Sequence, residues 1–163
     1  MPNWIEGTLK VRGSLENVKK FIFEGLNVYQ MSADEPLPKD QWMLITDSRE
    51  YKYYEIDFDY EAYVEGTKRA FVRSHENHSV FYTQDDWSDP VIAVFAARQA
   101  WSFKDEEWRE ISEKYGVDIR LFGFEQGMEF GQEIEIINGE VTIDKTIEYK
   151  DWDWECPFPY MGG

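Results

Sequence analysis

An α+β sandwich is the fold class this sequence predicts, and three observations carry it. Residues 4–12 alternate apolar and polar side chains and run directly into a helix pattern over 14–25. Residues 91–125 show the order strand, helix, strand. Asn138-Gly139 lies between two further alternating runs, the strongest short-range hairpin signal. A β-α-β unit, a hairpin, a second β-α-β unit and a terminal hairpin build a ferredoxin-like sandwich with additional antiparallel strands. Both helices are expected on one sheet face.

Each element has a local reason. In the first strand Ile5, Leu9 and Val11 face one way, and Thr8, Lys10 and Arg12 the other. Ser14 caps a helix whose apolar stripe is Leu15, Val18, Phe21 and Ile22, and Gly25 ends it. Residues 27–49 read as irregular, because Glu35-Pro36-Leu37-Pro38 resists regular structure. Residues 50–60 alternate again, with Tyr54, Ile56 and Phe58 on one side and Glu55, Asp57 and Asp59 on the other. Residues 67–73 and 79–84 form a predicted hairpin across residues 74–78, and a turn over 84–90 leads to a strand at 92–101.

The second helix is expected over 103–115. Ser102 is the predicted N-cap and Asp105 its reciprocal partner, and Asp105, Glu106 and Glu107 suit the helix dipole. Trp108, Ile111 and Tyr115 mark its buried face, and Gly116 its stop. Val117, Ile119 and Leu121 alternate with Asp118 and Arg120 in a strand at 117–124. Residues 125–131 form a glycine-bearing bend. Ile134 and Ile136 then lead to the Asn-Gly turn, and Val141, Ile143 and Ile147 follow it. The expected common core is Leu9, Val11, Val18, Ile22, Ile111, Ile119 and Leu121. One domain is expected over 1–150, with an insertion at about 27–66. Residues 151–163 form an acidic, aromatic tail.

Composition bounds the function. The chain has 163 residues, 42% hydrophobic and 17% aromatic, which suits a globular core. Its single cysteine, Cys156, allows no intrachain disulfide. There is no apolar signal core and no run near the ~20 residues that span a bilayer, so a cytoplasmic location is expected. The net charge is −16, unevenly spread. Residues 32–61 hold nine acids and three bases, and residues 125–155 ten acids and two bases, together −14 of the −16. Such a field opposes direct nucleic-acid binding and attracts basic surfaces.

Catalytic and metal-binding patterns are weak. His75 and His78 stand three apart in a predicted turn, where one metal would need help from Glu76. Asp85, Asp86 and Asp89 lack the spacing of a calcium loop. Ser74 and Ser79 neighbour the histidines without a nucleophile elbow. No phosphate-binding glycine loop or zinc-protease motif is present. Neither a cofactor nor a structural metal is expected. An RNA-binding sheet face would show Lys10, Arg12, Phe95, Trp101 and Arg120, but it lacks the glycine-aromatic signature, and its aromatics read as core. In the tail, Trp152, Trp154, Phe158 and Tyr160 interleave with Asp151, Asp153 and Glu155. That pattern fits either an interface anchor or a flap over a sheet edge.

Three motifs resemble one family. Pro2-Asn3-Trp4 before Leu9-Lys10-Val11-Arg12-Gly13, then Ala100-Trp101-Ser102, then residues 125–131 followed by Asn138-Gly139, resemble the YubB-like ferredoxin-fold proteins of phages and plasmids. The likeness covers residues 2–25 and about 93–140. The chain departs from the family at Ile5 and Gly7, where cysteine and asparagine are usual, and at Phe103, Lys104 and Gln126, where prolines are usual. The resemblance implies a fold and a mobile-element origin, and it carries over no catalytic residue.

Two readings of function follow. The first is a non-enzymatic phage or plasmid accessory protein that binds another protein. Its sharpest form is a nucleic-acid mimic that inhibits a host defence enzyme through a basic groove. Glu55, Asp57, Asp59, Glu133, Glu135, Trp152 and Trp154 would form its surface, with segments 32–61 and 125–155 meeting on one side. The second is a metal-dependent enzyme or small-ligand module built from acids with His75 and His78.

Overall fold

A computed structural model describes residues 2–30, 34–48, 53–58, 60–74 and 90–163, with 45–48 and 53–58 as backbone. Along the chain run β1 (Trp4–Gly13), α1 (Leu15–Gly25), β2 (Leu26–Asn27), a 3₁₀ turn (Lys39–Gln41), β3 (Met43–Ser48) and β4 (Tyr53–Phe58). Then come β5 (Ala62–Val64), β6 (Ala70–Arg73), β7 (Val91–Ala100), α2 (Asp105–Tyr115), β8 (Asp118–Glu125), β9 (Phe130–Ile137), β10 (Glu140–Glu148) and α3 (Trp152–Glu155). The architecture is α+β and mainly antiparallel sheet. Eight strands lie in the order β10-β9-β8-β1-β7-β6-β5-β2, while β3 and β4 pair separately. No helix among the described residues is long and apolar enough to cross a membrane.

Side-chain alternation puts Leu9, Val11, Phe95, Ile119, Leu121, Ile134 and Ile136 on one face of the large sheet, all buried. Val18, Phe21 and Ile22 of α1 and Trp108, Ile111 and Tyr115 of α2 cover that same face in one cluster. Phe21 meets Phe95 at 6.1 Å and Tyr115 at 5.6 Å, both edge-on, so the two helices lie side by side. The expected core residues are buried together. Ser14 Oγ accepts from Asn17 N at 3.2 Å, and Gly116 closes α2 with φ 63°. Asn138 and Gly139 have φ 51° and 78°, the pair of left-handed residues that a tight hairpin turn needs.

Three sequence expectations are corrected. Residues 27–49 are not wholly irregular, since β2 ends at Asn27 and β3 spans Met43–Ser48. β3 pairs with the predicted strand around residue 55, and pairing supplies the backbone partners that local composition did not signal. Ser102 does not cap α2. Lys104 occupies the N-cap position without a side-chain bond. The buried Gln99 accepts instead from Lys104 N at 3.2 Å and from Trp108 Nε1 at 2.9 Å. Gln132 clamps Phe103, accepting from its N at 2.9 Å and donating to its O at 3.1 Å. Neighbouring strands thus satisfy the amides that a local cap would have served.

The third correction concerns the acid-rich segments. β9 and β10 form one edge of the large sheet and β2 the other, seven strand spacings or roughly 34 Å away. Pro36 bridges to Tyr29, and Lys39 Nζ donates to Leu26 O, so the described residues 34–42 stay at the β2 edge. The described residues 34–42 therefore lie at the edge opposite β9 and β10 rather than beside them. The predicted 67–73/79–84 hairpin keeps its first half as β6, which pairs with β7. Residues 79–84, His75, His78, Ser79, Asp59, Asp85, Asp86 and Asp89 lie outside the described residues.

Candidate functional site: an aromatic end and a half-covered sheet face

The face of the sheet away from the helices is treated differently in its two halves. Over β8–β10 the tail folds back. Trp152 packs on Phe124 at 6.5 Å and on Tyr149 at 5.3 Å, and its Nε1 donates to Pro159 O at 2.9 Å. Phe124, Trp152 and Cys156 form a small second core with Phe122, Tyr149 and Met161 against it. Burial, then contact with Cys156, pushes the Tyr149 hydroxyl above its ordinary pKa. Asp151 caps α3 by accepting from Trp154 N at 3.3 Å. Farther along, Gly163 N donates to Trp4 O at 2.9 Å, which holds this segment against the sheet.

This fold-back gathers apolar side chains at one end of the sheet. β1 begins there, β7 and β8 finish there, and the β8–β9 turn and the tail join them. Trp154 is 86% exposed, Tyr160 87%, Met128 72%, Trp101 57% and Phe158 55%. Trp101 stands on a strained backbone, φ 71°, with its N–H donating to Asn3 O at 2.8 Å. A bulky residue with left-handed φ is an outlier that the surroundings must hold in place. Glu125 keeps the adjacent turn closed: it is buried, and its carboxylate accepts from Gly127 N at 2.8 Å and Met128 N at 2.7 Å. The exposed acids Glu129, Asp151, Asp153 and Glu155 neighbour Met128 and Trp154 along the chain.

The predicted surface residues divide. Trp152 is buried and belongs to the flap, whereas Trp154 is open to a partner. Sequence pattern did not separate them, because both sit in the same Asp-Trp repeat. Glu133 and Glu135 share the helix-free face, and both accept from Arg120, Glu135 at 3.2 Å. Glu55 and Asp57 lie on β4, in the separate pair of strands. Sequence reasoning missed Met128 and Trp101 as exposed groups; the positive φ at Trp101 leaves no signal in composition. Among the described residues, no cluster of three or more His, Cys, Asp or Glu is placed to hold a metal ion.

Comparison with protein-family models, with curated proteins and with solved structures found no match for this chain.

Proposed function

We propose that this chain is a non-enzymatic protein-binding domain that docks a basic surface of another protein through the Trp101–Met128–Trp154–Phe158–Tyr160 end of its sheet. One observation carries the reading: five large apolar side chains stand half or more exposed at one end, with acids next to Met128 and Trp154 along the chain. Clustered exposed apolar surface edged by polar groups is a mark of interaction sites. Trp and Tyr are also the residues that most often dominate binding energy. The net charge of −16 selects basic partners and speeds their encounter.

The proposal extends to ancestry and fold. The order β8-β1-β7-β6, with α1 after β1 and α2 between β7 and β8, supports a ferredoxin-like reading with extra strands at both edges. With the three motifs, it supports a YubB-like phage or plasmid protein acting in the cytoplasm of a host cell. The sharper form is an inhibitor of a host nucleic-acid enzyme. In that form the tail acids, rather than Glu133 and Glu135, stand in for phosphates, because Arg120 already pairs with both of those.

The test is capture from host lysate at low and high salt with three baits: the native chain, a W154A/Y160A variant and an E129Q/D153N variant. A protein held by the native chain, lost with the aromatic variant and weakened by salt or by the acid variant, is the expected result. Equal capture by all three at every salt concentration would remove the reading.

A further inference from the structure

The two edges of the large sheet are built differently. At one edge β2 has only two residues, Leu26–Asn27. At the other, β10 runs nine residues, Glu140–Glu148, and no described strand lies beside its outer side. An edge strand turns unpaired N–H and C=O groups outward, a template for a further strand, and a short or bulged edge blunts it. The register shift between Val141 and Ile143 bends only the first end of β10. Ile143–Glu148 is left as a regular run, paired with β9 on one side alone.

The side chains of that run sort by face. Asp144, Thr146 and Glu148 stand opposite Ile134, Gln132 and Phe130, which puts them on the helix-covered side. Ile143, Lys145 and Ile147 stand opposite Glu135, Glu133 and Gly131, on the helix-free side. Asp144 and Glu148 are exposed, and neither side chain makes a hydrogen bond or ion pair among the described residues. They lie ~13 Å apart along the strand. Ile143 and Ile147 are partly buried, with the exposed Lys145 between them.

We propose that β10 takes an added antiparallel strand from a partner protein, with basic side chains opposite Asp144 and Glu148. Main-chain bonds to the edge give such a strand its affinity, and alternate side chains give its register. Counting from the residue opposite Glu148, the first and fifth positions are basic, and the second and sixth are apolar against Ile147 and Ile143. Opposite charges paired across strands favour this register, and like charges disfavour its neighbours. A second copy of the chain does not fit. The two-fold antiparallel register that uses the whole strand sets Asp144 against Asp144 and Glu140 against Glu148, and each copy carries a net charge of −16. The inference rests on the protein-binding reading and adds a second surface, one that the tail variants leave untouched.

The experiment is fluorescence anisotropy of the full chain with labelled dodecapeptides centred on Lys-Val-Thr-Thr-Lys-Val, joined to amide hydrogen exchange of the complex. One control, Lys-Val-Thr-Lys-Thr-Val, turns the second lysine to the other face. Another, Lys-Val-Pro-Pro-Lys-Val, removes two successive N–H groups, one of which must face β10. Saturable binding is expected, weakened about tenfold or more by the prolines and several-fold by the moved lysine or by D144N/E148Q. Exchange should slow within Ile143–Glu148. The charge-swapped variant D144K/E148K should prefer Glu-Val-Thr-Thr-Glu-Val to the lysine peptide. W154A/Y160A should bind the lysine peptide like the native chain, so its loss of lysate capture separates the two surfaces. Thermal unfolding of each variant confirms that it is folded. Four results would overturn the added strand: no saturation at millimolar peptide by the folded native chain, equal binding of the proline peptide, no slowing of exchange in β10, or no reversed preference in D144K/E148K. The protein-binding reading would survive any of them if W154A/Y160A still loses lysate capture.

Discussion

The two halves of the helix-free sheet face are both aromatic, but they are finished in opposite ways. Over β8–β10, Phe124 is 2% exposed because Trp152 and Cys156 seal it. Over β1 and β6–β5–β2, no described residue seals the Trp4–Phe71–Tyr63–Tyr29 rings in that way, and hydrogen bonds surround them instead. Asn27 Nδ2 donates to Glu65 at 2.8 Å and the Tyr29 hydroxyl donates to the same carboxylate at 2.6 Å. Lys39 Nζ reaches Asn27 Oδ1 at 2.9 Å and lies 4.8 Å from the Trp42 ring centre. The contrast teaches that ring content does not decide whether a face becomes core. A short chain segment able to return and exclude water does.

The largest effect that would break this comparison is at the seal. Trp152→Ala should cost about 3 kcal/mol by removing a buried indole and leaving Phe124 and Tyr149 without cover. Phe71→Ala, on a partly exposed ring of the other half, should cost about 1–2 kcal/mol. Urea unfolding of both variants measures the difference. Equal losses would mean that the other half is packed as firmly as the sealed one.

Next in size is Trp101→Gly. Relief of the left-handed φ should raise stability by about 1 kcal/mol, while loss of the exposed indole should weaken partner capture. A gain in one measurement with a loss in the other would identify Trp101 as strain kept for binding. A destabilised Trp101→Gly variant would show the indole to be a packing group instead.

The smallest effects are protonic, and they sharpen the contrast between halves. Tyr29 is pushed up from 10.0 to about 12, first by donating its hydroxyl to Glu65 and then by burial. Tyr149 is raised first by burial. Glu65→Gln should therefore return Tyr29 toward 10 and leave Tyr149 unchanged, as read from tyrosinate absorbance. The sign for stability follows from proton binding. Between pH 10 and 12 the unfolded chain loses the Tyr29 proton before the folded chain does, so this contribution to stability falls as pH rises. Lys39 acts in the other direction. Burial lowers it from 10.5 to about 8, partly offset by Glu65. Between pH 8 and 10.5 the unfolded chain holds that proton more tightly, so removing it favours the fold as pH rises. Lys39→Met should flatten the rise above pH 8 in unfolding curves, and Tyr29→Phe the fall above pH 10.

Much of the frame was legible in the chain. Alternation in β1 and β8, the helical stripe of α2 and the Asn138-Gly139 turn are local patterns, and burying each apolar face allowed few arrangements of them. Composition also determined the charge and the absence of an intrachain disulfide. Tertiary structure alone decided the rest, because each item depends on residues remote in sequence. Gln99 and Gln132 displaced Ser102 as the cap of α2, since folded strands brought amide groups nearer than a local hydroxyl could come. Trp152 went under the flap and Trp154 outside it, because a four-residue helix points neighbouring indoles apart. Strand order put residues 34–42 and β9–β10 at opposite edges, where composition suggested that the two acidic segments would meet. The row of rings joins residues 4, 29, 63 and 71, and only strand pairing places those four side chains in one line.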